Sequence, residues 1–157
     1  MKAATIQQPF TSLFVSGTKL YETRSWVTKY RGPVAIHAAA GMRSKNALLK
    51  DFPDIFEAAG MPYEEMRALP RGCVLATAEL VNIWRICNDG HMLRPVNELD
   101  TDPWTDFVCP TVQETRLGFW KDGYFAWEFE NVKPLAAPIP AKGQLGLWNW
   151  EDENAEK

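Results

Sequence analysis

Two runs of strict alternation do most to limit what this chain can fold into. From Cys73 to Trp84 the apolar side chains Val74, Ala76, Ala78 and Leu80 fall on every second position. From Tyr124 to Asn131, Phe125, Trp127 and Phe129 take one set of positions and Glu128 and Glu130 the other. A period of two puts each set on one face of an extended strand. Both runs predict strands with one face turned into a core.

Around them the signals are shorter. Residues 2–6 read as a strand, and Pro9 suits the first position of a helix carrying Phe10, Leu13 and Phe14, with Gly17 as its stop. Lys19 to Val27, rich in Tyr, Thr and Trp, favours a strand. Val34 to Ala38 reads as another, after the Gly32-Pro33 break. Residues 44–59 look helical, with Ser44 as cap and Pro53 dividing the segment, and residues 62–68 add a further turn or two. Residues 85–121, with Pro95, Pro103 and Pro110 among acidic side chains, suggest short helices and loops over a sheet. Pro134, Pro138 and Pro140 suggest an extended connection, and residues 144–150 a final strand. Five or six strands with helices inserted unevenly between them argue for an α+β fold, a small mixed β-barrel rather than a doubly wound sheet.

The length of 157 residues suits one domain, expected over 1–150, with 151–157 as an acidic, frayed tail. A composition 46% hydrophobic and 24% charged excludes a disordered chain, a collagen-like repeat and a coiled coil. No apolar run approaches the roughly 18–20 residues a membrane span needs. The first ten residues lack a leader's apolar stretch, so a cytoplasmic protein without membrane partners is expected. Cys73, Cys87 and Cys109 form no C-x-x-C pair. With only His37 and His91 beside them they give no zinc spacing, so no metal, disulfide framework or other cofactor is expected.

The net charge of −3 hides an asymmetry. Residues 1–50 hold eight basic side chains against the single acid Glu22, and the remaining 107 hold nine against nineteen. A basic N-terminal third suits an anionic ligand; mutual neutralisation of the two parts within the fold is the other reading.

The chemistry concentrates in Gly17-Thr18-Lys19-Leu20-Tyr21-Glu22-Thr23-Arg24-Ser25-Trp26. On a strand, Glu22, Arg24 and Trp26 share a face, and Lys19 beside the Gly17 turn is free to swing to either side. An arginine fork and an indole can hold a base or its sugar-phosphate. The alternative is a surface salt-bridge ladder with Trp26 packed in the core.

The string Gly17-x-Lys19-x-x-Glu22-x-Arg24 resembles the GxKxxExR signature of the activating-signal-cointegrator homology (ASCH) domain family. Gln8-Pro9-Phe10 before it is similar to that family's Gln-Pro-aromatic element. Trp26, Tyr30-Arg31-Gly32-Pro33 and Ile36-His37-Ala38 after it resemble the family's W…YRGP…IHA run. Glu79-Leu80-Val81 at the end of the long strand also fits. Further on, Tyr124…Trp127…Glu130-Asn131…Pro134-Leu135…Pro138-Ile139-Pro140…Lys142-Gly143…Gly146-Leu147-Trp148 continues it in order, over about residues 2–150.

The resemblance implies a PUA-like barrel whose cleft is lined by Lys19, Glu22 and Arg24, with Gln8 and Trp26 as neighbours. It implies RNA or a modified nucleoside as partner. Some small bacterial relatives remove the acyl group from N4-acylated cytidine, and others are linked to RNA cleavage. The amidohydrolases carry threonine where this chain has Glu22, and a hydroxyl and a carboxylate do not activate nucleophiles alike. In a hydrolase Lys19 and Glu22 would form the catalytic pair, Lys19 as base after desolvation, or Glu22 activating water while Lys19 steadies the oxyanion. A lysine kept charged beside Glu22 fits binding instead.

Four further side chains have two readings each. His37 is either a satisfied core or cleft-wall histidine or part of the site. Glu79 is a solvent-facing barrel residue or a second cleft carboxylate. Tyr30 and Arg31 contact a phosphate or form an ordinary turn. Of the tryptophans, Trp127, Trp148 and Trp150 are placed in packing, Trp84 and Trp104 at a cap or rim, and Trp26 at the cleft. A protein-interaction domain using the acidic portion is the third functional class.

Overall fold

A computed structural model describes residues 1–96 and 107–152. Trp104 and positions 153–157 of the expected tail lie outside the described residues. The described elements are β1 (Lys2–Ile6), α1 (Phe10–Val15), β2 (Tyr21–Arg24), β3 (Gly32–Ala38), α2 (Lys45–Asp51), α3 (Ile55–Ala59) and α4 (Tyr63–Ala68). They continue with β4 (Cys73–Cys87), β5 (Met92–Pro95), α5 (Val112–Thr115), β6 (Phe125–Pro140) and β7 (Leu147–Asn149).

The strands form one curled mixed sheet in the order β2-β6-β4-β3-β1-β7, with β5 paired to the far end of β4. Among the described strands only β1 and β3 run parallel, and the stretch between them carries α1 and β2, the crossover a parallel pair needs. This is the α+β, barrel-like fold that the uneven helix placement predicts, with seven strands among the described residues where five or six are expected. The added strand is β5, in the stretch where the sequence pattern is weakest.

The two alternating runs pair antiparallel along their length, Leu80 opposite Phe129 and Ile83 opposite Trp127. Their inward faces are buried as the period of two requires. Phe14 of α1 lies edge-on to Phe129, ring centroids 5.5 Å apart. Leu48, Ile55 and Met66 from α2, α3 and α4 close the core over Val34, Ile36 and Ala76. On the opposite face Trp148 and Trp150 pack together with Ala3, Ala35 and Val74.

Pro134, Pro138 and Pro140 do not form a separate connection: they lie within β6. Strand β2 pairs β6 only through Glu128, so β6 then runs on as an edge. A proline's missing N–H costs no ladder bond on an open edge. Strand β2 is also shorter than its composition suggests, beginning only at Tyr21. No described helix is long and apolar enough to cross a membrane.

Candidate functional site

The curl brings the two ends of the sheet, β2 and β7, toward each other, and side chains rather than strand pairing bridge them. Strand β7 pairs β1 only through Lys2, Ala3 and Ala4. Past that last rung, Arg24 on β2 donates from Nη2 to the Thr5 carbonyl at 2.8 Å. Beside it, the space a Cβ on Gly146 would occupy lies 3.9 Å from Cη2 of Trp26. A pocket of about 510 Å³ lies at this seam. Its wall takes Thr5 to Gln7, Lys19, the run Glu22 to Trp26, Leu117 to Phe119 and Gln144 to Gly146, with Phe10, Ala39, Arg43, Phe52 and Tyr124 completing it.

Lys19 owes its position to the end of α1. Gly17, at φ +80°, turns the chain in a conformation open to glycine, and the Lys19 N–H returns to the Leu13 carbonyl at 3.0 Å. The side chain passes between Phe10 and Phe14, 5.7 and 5.6 Å from their ring centroids. It is 2% exposed. Nζ donates to the Leu117 carbonyl and lies 3.8 Å from Oε2 of Glu114. Burial pulls the ammonium below its ordinary value of 10.5, against the opposing charges of Glu22 and Glu114.

Glu114, on α5, is the buried acid that sequence reasoning missed. It is 3% exposed and accepts the Leu20 N–H. Burial pushes its carboxyl above 4.5, while the Lys19 charge and the backbone N–H groups of Leu20 and Tyr21 oppose the rise. The segment Thr111-Val112-Gln113-Glu114 does carry a legible signal, a capping box, which marks a helix start. Thr111 Oγ1 accepts the Glu114 N–H at 3.1 Å as that motif requires. The glutamate side chain instead reaches across to Lys19. Arg43, Phe52, Phe119 and Leu145 likewise enter the pocket without a signal of their own, and Tyr124 of the family-like series joins them.

Glu22, expected beside Lys19, has Arg24 as its ion-pair partner, Oε1 to Nε at 3.8 Å. Thr23, from the other face of β2, also reaches the wall: its hydroxyl accepts the Phe119 N–H at 2.9 Å and fixes the loop opposite. Trp26 is 37% exposed at the mouth. Its ring stands edge-on to Trp127 at 4.8 Å, and its carbonyl accepts the Trp127 indole N–H at 3.2 Å.

The structure does not bring the remaining candidates to this wall. Gln8 is fully buried: its amide donates to Ser12 Oγ at 2.9 Å and the Pro70 carbonyl at 2.7 Å, and accepts the Ser12 N–H. Its neighbour Gln7 lines the pocket instead. His37 is buried beside Trp148, its Nε2 2.7 Å from the Ala141 carbonyl. Tyr30 donates to the Pro33 carbonyl, and Arg31 to the carbonyls of Thr28 and Tyr30, which closes their own loop. Glu79 stands half-buried on the outer face of β4, level with Pro33 and Glu130. Among the described residues, no cluster of His, Cys, Asp and Glu could hold a metal ion.

A family model described as the ASCH domain matches residues 5–138. The chain is similar to Activating signal cointegrator 1 of Homo sapiens, 27% identical over 114 residues, which is 73% of this chain and 19% of that protein. It is also similar to Activating signal cointegrator 1 of Mus musculus, 28% identical over 115 residues with the same shares. The chain thus spans about a fifth of the length of these curated relatives.

Proposed function

This chain belongs to the ASCH domain family, and on that premise we propose that the seam pocket binds RNA or a modified nucleoside. The observation that carries the reading is the pocket itself. One nucleoside-sized space is bordered by Lys19, Arg24 and Arg43, by the carboxylate of Glu22, and by the rings of Trp26, Phe52, Phe119 and Tyr124. Cations suit a phosphate, a carboxylate accepts from an exocyclic amine, and rings stack on bases. The surplus of basic residues in positions 1–50 supports the same reading.

Titration with short single-stranded RNAs and free modified nucleosides at two salt concentrations tests it. Phosphate contacts predict affinity that falls as salt rises, and absence of binding at low salt rejects the reading.

A second reading rests on the buried lysine. Burial pulls the Lys19 ammonium below its ordinary value, which moves it toward the free amine that a general base needs. In a hydrolase, Lys19 would take a proton from water adding to the acyl carbonyl of N4-acylated cytidine. The lysine would return that proton to the departing exocyclic nitrogen, leaving cytidine and a carboxylic acid. Glu22 would orient the water, and the same pair would serve cleavage of RNA. Incubation with N4-acetylcytidine, and separately with labelled RNA, should release cytidine or fragments in a manner that Lys19→Ala abolishes.

A further inference from the structure

Among the described residues, Leu145 is the most exposed large hydrophobic. Its side chain is 98% exposed yet it lines the pocket. An isolated exposed leucine is ordinary, but the chain is anchored on either side of this one. Before it, the Ala141 carbonyl is 2.7 Å from His37 Nε2. Gly143 lies so close to His37 and Thr5 that a Cβ there would stand 2.8 Å from Cε1 and 2.9 Å from Oγ1. After it, β7 joins the sheet at Leu147.

Trp26 packs edge-on against Trp127 and accepts its indole N–H, and it too is left partly open, with Val27 beside it 44% exposed. Two apolar side chains thus border the same mouth, one after β2 and one before β7. The polar edge groups Glu22 and Arg24 lie in the same pocket.

Resting on the reading of the pocket as a nucleic-acid or nucleoside site, we infer that Trp26 and Leu145 are the two walls of a slot for one unpaired base. The ring's flat faces are covered by indole and isobutyl groups, and its polar edge is turned to Glu22 and Arg24. A base inside a duplex has both faces stacked on neighbours and does not fit such a slot. The ligand class is therefore single-stranded RNA or a free nucleoside, and Leu145 is a specificity residue of the site.

The test compares a hexamer of uridylate with a blunt RNA duplex on the wild type, Leu145→Ala and Leu145→Met. Leu145→Ala should weaken hexamer binding about five- to thirtyfold, the effect of losing a few buried methylene equivalents. Leu145→Met should stay near wild type. Thermal unfolding should be the same for all three, because the side chain contacts nothing in the fold. Hexamer affinity unchanged in Leu145→Ala, or a duplex bound as tightly as the hexamer, overturns the slot and leaves the pocket reading standing. A wild type that binds neither RNA nor free nucleosides overturns both.

Discussion

Lys19 and Glu114, far apart in the chain, form a buried ion pair, Nζ to Oε2 at 3.8 Å, behind a pocket that opens at the seam of the sheet. Two charges removed from water are stable only because each compensates the other and because the Leu117 carbonyl and Leu20 N–H complete their hydrogen bonding. The pair ties α5 to the segment that carries the family signature. It thereby fixes the position of the lysine on which either functional reading depends.

Breaking the pair from one side should cost far more than removing it whole. Lys19→Met leaves an uncompensated carboxylate and is expected to lose about 3–5 kcal/mol of stability. Lys19→Met combined with Glu114→Gln replaces the pair with neutral groups of similar shape, and the glutamine Oε1 still accepts from Leu20. It should return to within about 1–2 kcal/mol of wild type, or exceed it. Urea unfolding of the two singles and the double measures this. Additive losses in the double would show that the two side chains do not compensate each other.

The same pair sets a pH dependence. Glu114 is raised above 4.5 by burial, so the folded chain keeps a proton that the unfolded chain gives up. The stability this confers is complete below about pH 4.5 and is lost as pH rises through the raised value. Lys19 is lowered from 10.5, so its contribution is complete above about pH 10.5 and is lost as pH falls through the lowered value. Relative to the neutral double variant, the wild type should therefore decline in stability above pH 4.5 and recover toward pH 10.5. Unfolding free energies of both proteins across this range give the difference curve, and a flat one would contradict the two shifts.

Much of the candidate pocket's wall is legible in the sequence. Lys19, Glu22, Arg24 and Trp26 sit close together in sequence, and the Gly17 turn and the alternation of β2 suffice to gather them on one wall. Val74 to Leu80 and Phe125 to Phe129 announced the central ribbon, because a buried face repeats every second residue. Glu114 was not legible as a partner for Lys19. Its capping box reports a local helix start, whereas the long-range pairing follows from how the sheet curls. Gln8 stands in the family-like element yet turns away from the pocket, since adjacent residues on β1's exit point in different directions and Gln7 takes the one that faces the pocket. The prolines of β6 misled for a related reason: a proline excludes a central strand, and only the sheet order shows that this stretch is an edge.

Gln8 provides a test that separates support from contact. Gln8→Ala removes three hydrogen bonds and leaves the Pro70 carbonyl and Ser12 N–H without their partner. Stranding buried polar groups costs about 1–3 kcal/mol. The variant should unfold at lower urea concentration yet bind the uridylate hexamer as the wild type does at a temperature where both are folded. A large loss of affinity without loss of stability would assign Gln8 to the ligand after all.

Gly143 tests whether the loop before β7 is held as tightly as its geometry implies. A methyl group there would meet His37 Cε1 at 2.8 Å, Thr5 Oγ1 at 2.9 Å and His37 Nδ1 at 3.1 Å. The first and third belong to a ring wedged between Trp148 and the Ala141 carbonyl, so neither can retreat cheaply. Overpacking of this kind costs about 1–3 kcal/mol, and the strain should lift the loop, displacing Leu145 from the mouth. Gly143→Ala is therefore expected to lower both stability and hexamer affinity. Gly41→Ala, where nothing lies within 4 Å of the added carbon, should change neither by more than about 0.5 kcal/mol. In a His37→Ala background the penalty at Gly143 should shrink, because the clashing ring is gone and the two sites are in contact. Thermal unfolding of the single and double variants, with hexamer titrations alongside, decides it. Equal stability of Gly143→Ala and Gly41→Ala would mean that the loop yields freely, and Leu145 would then be carried on a mobile segment rather than a fixed wall.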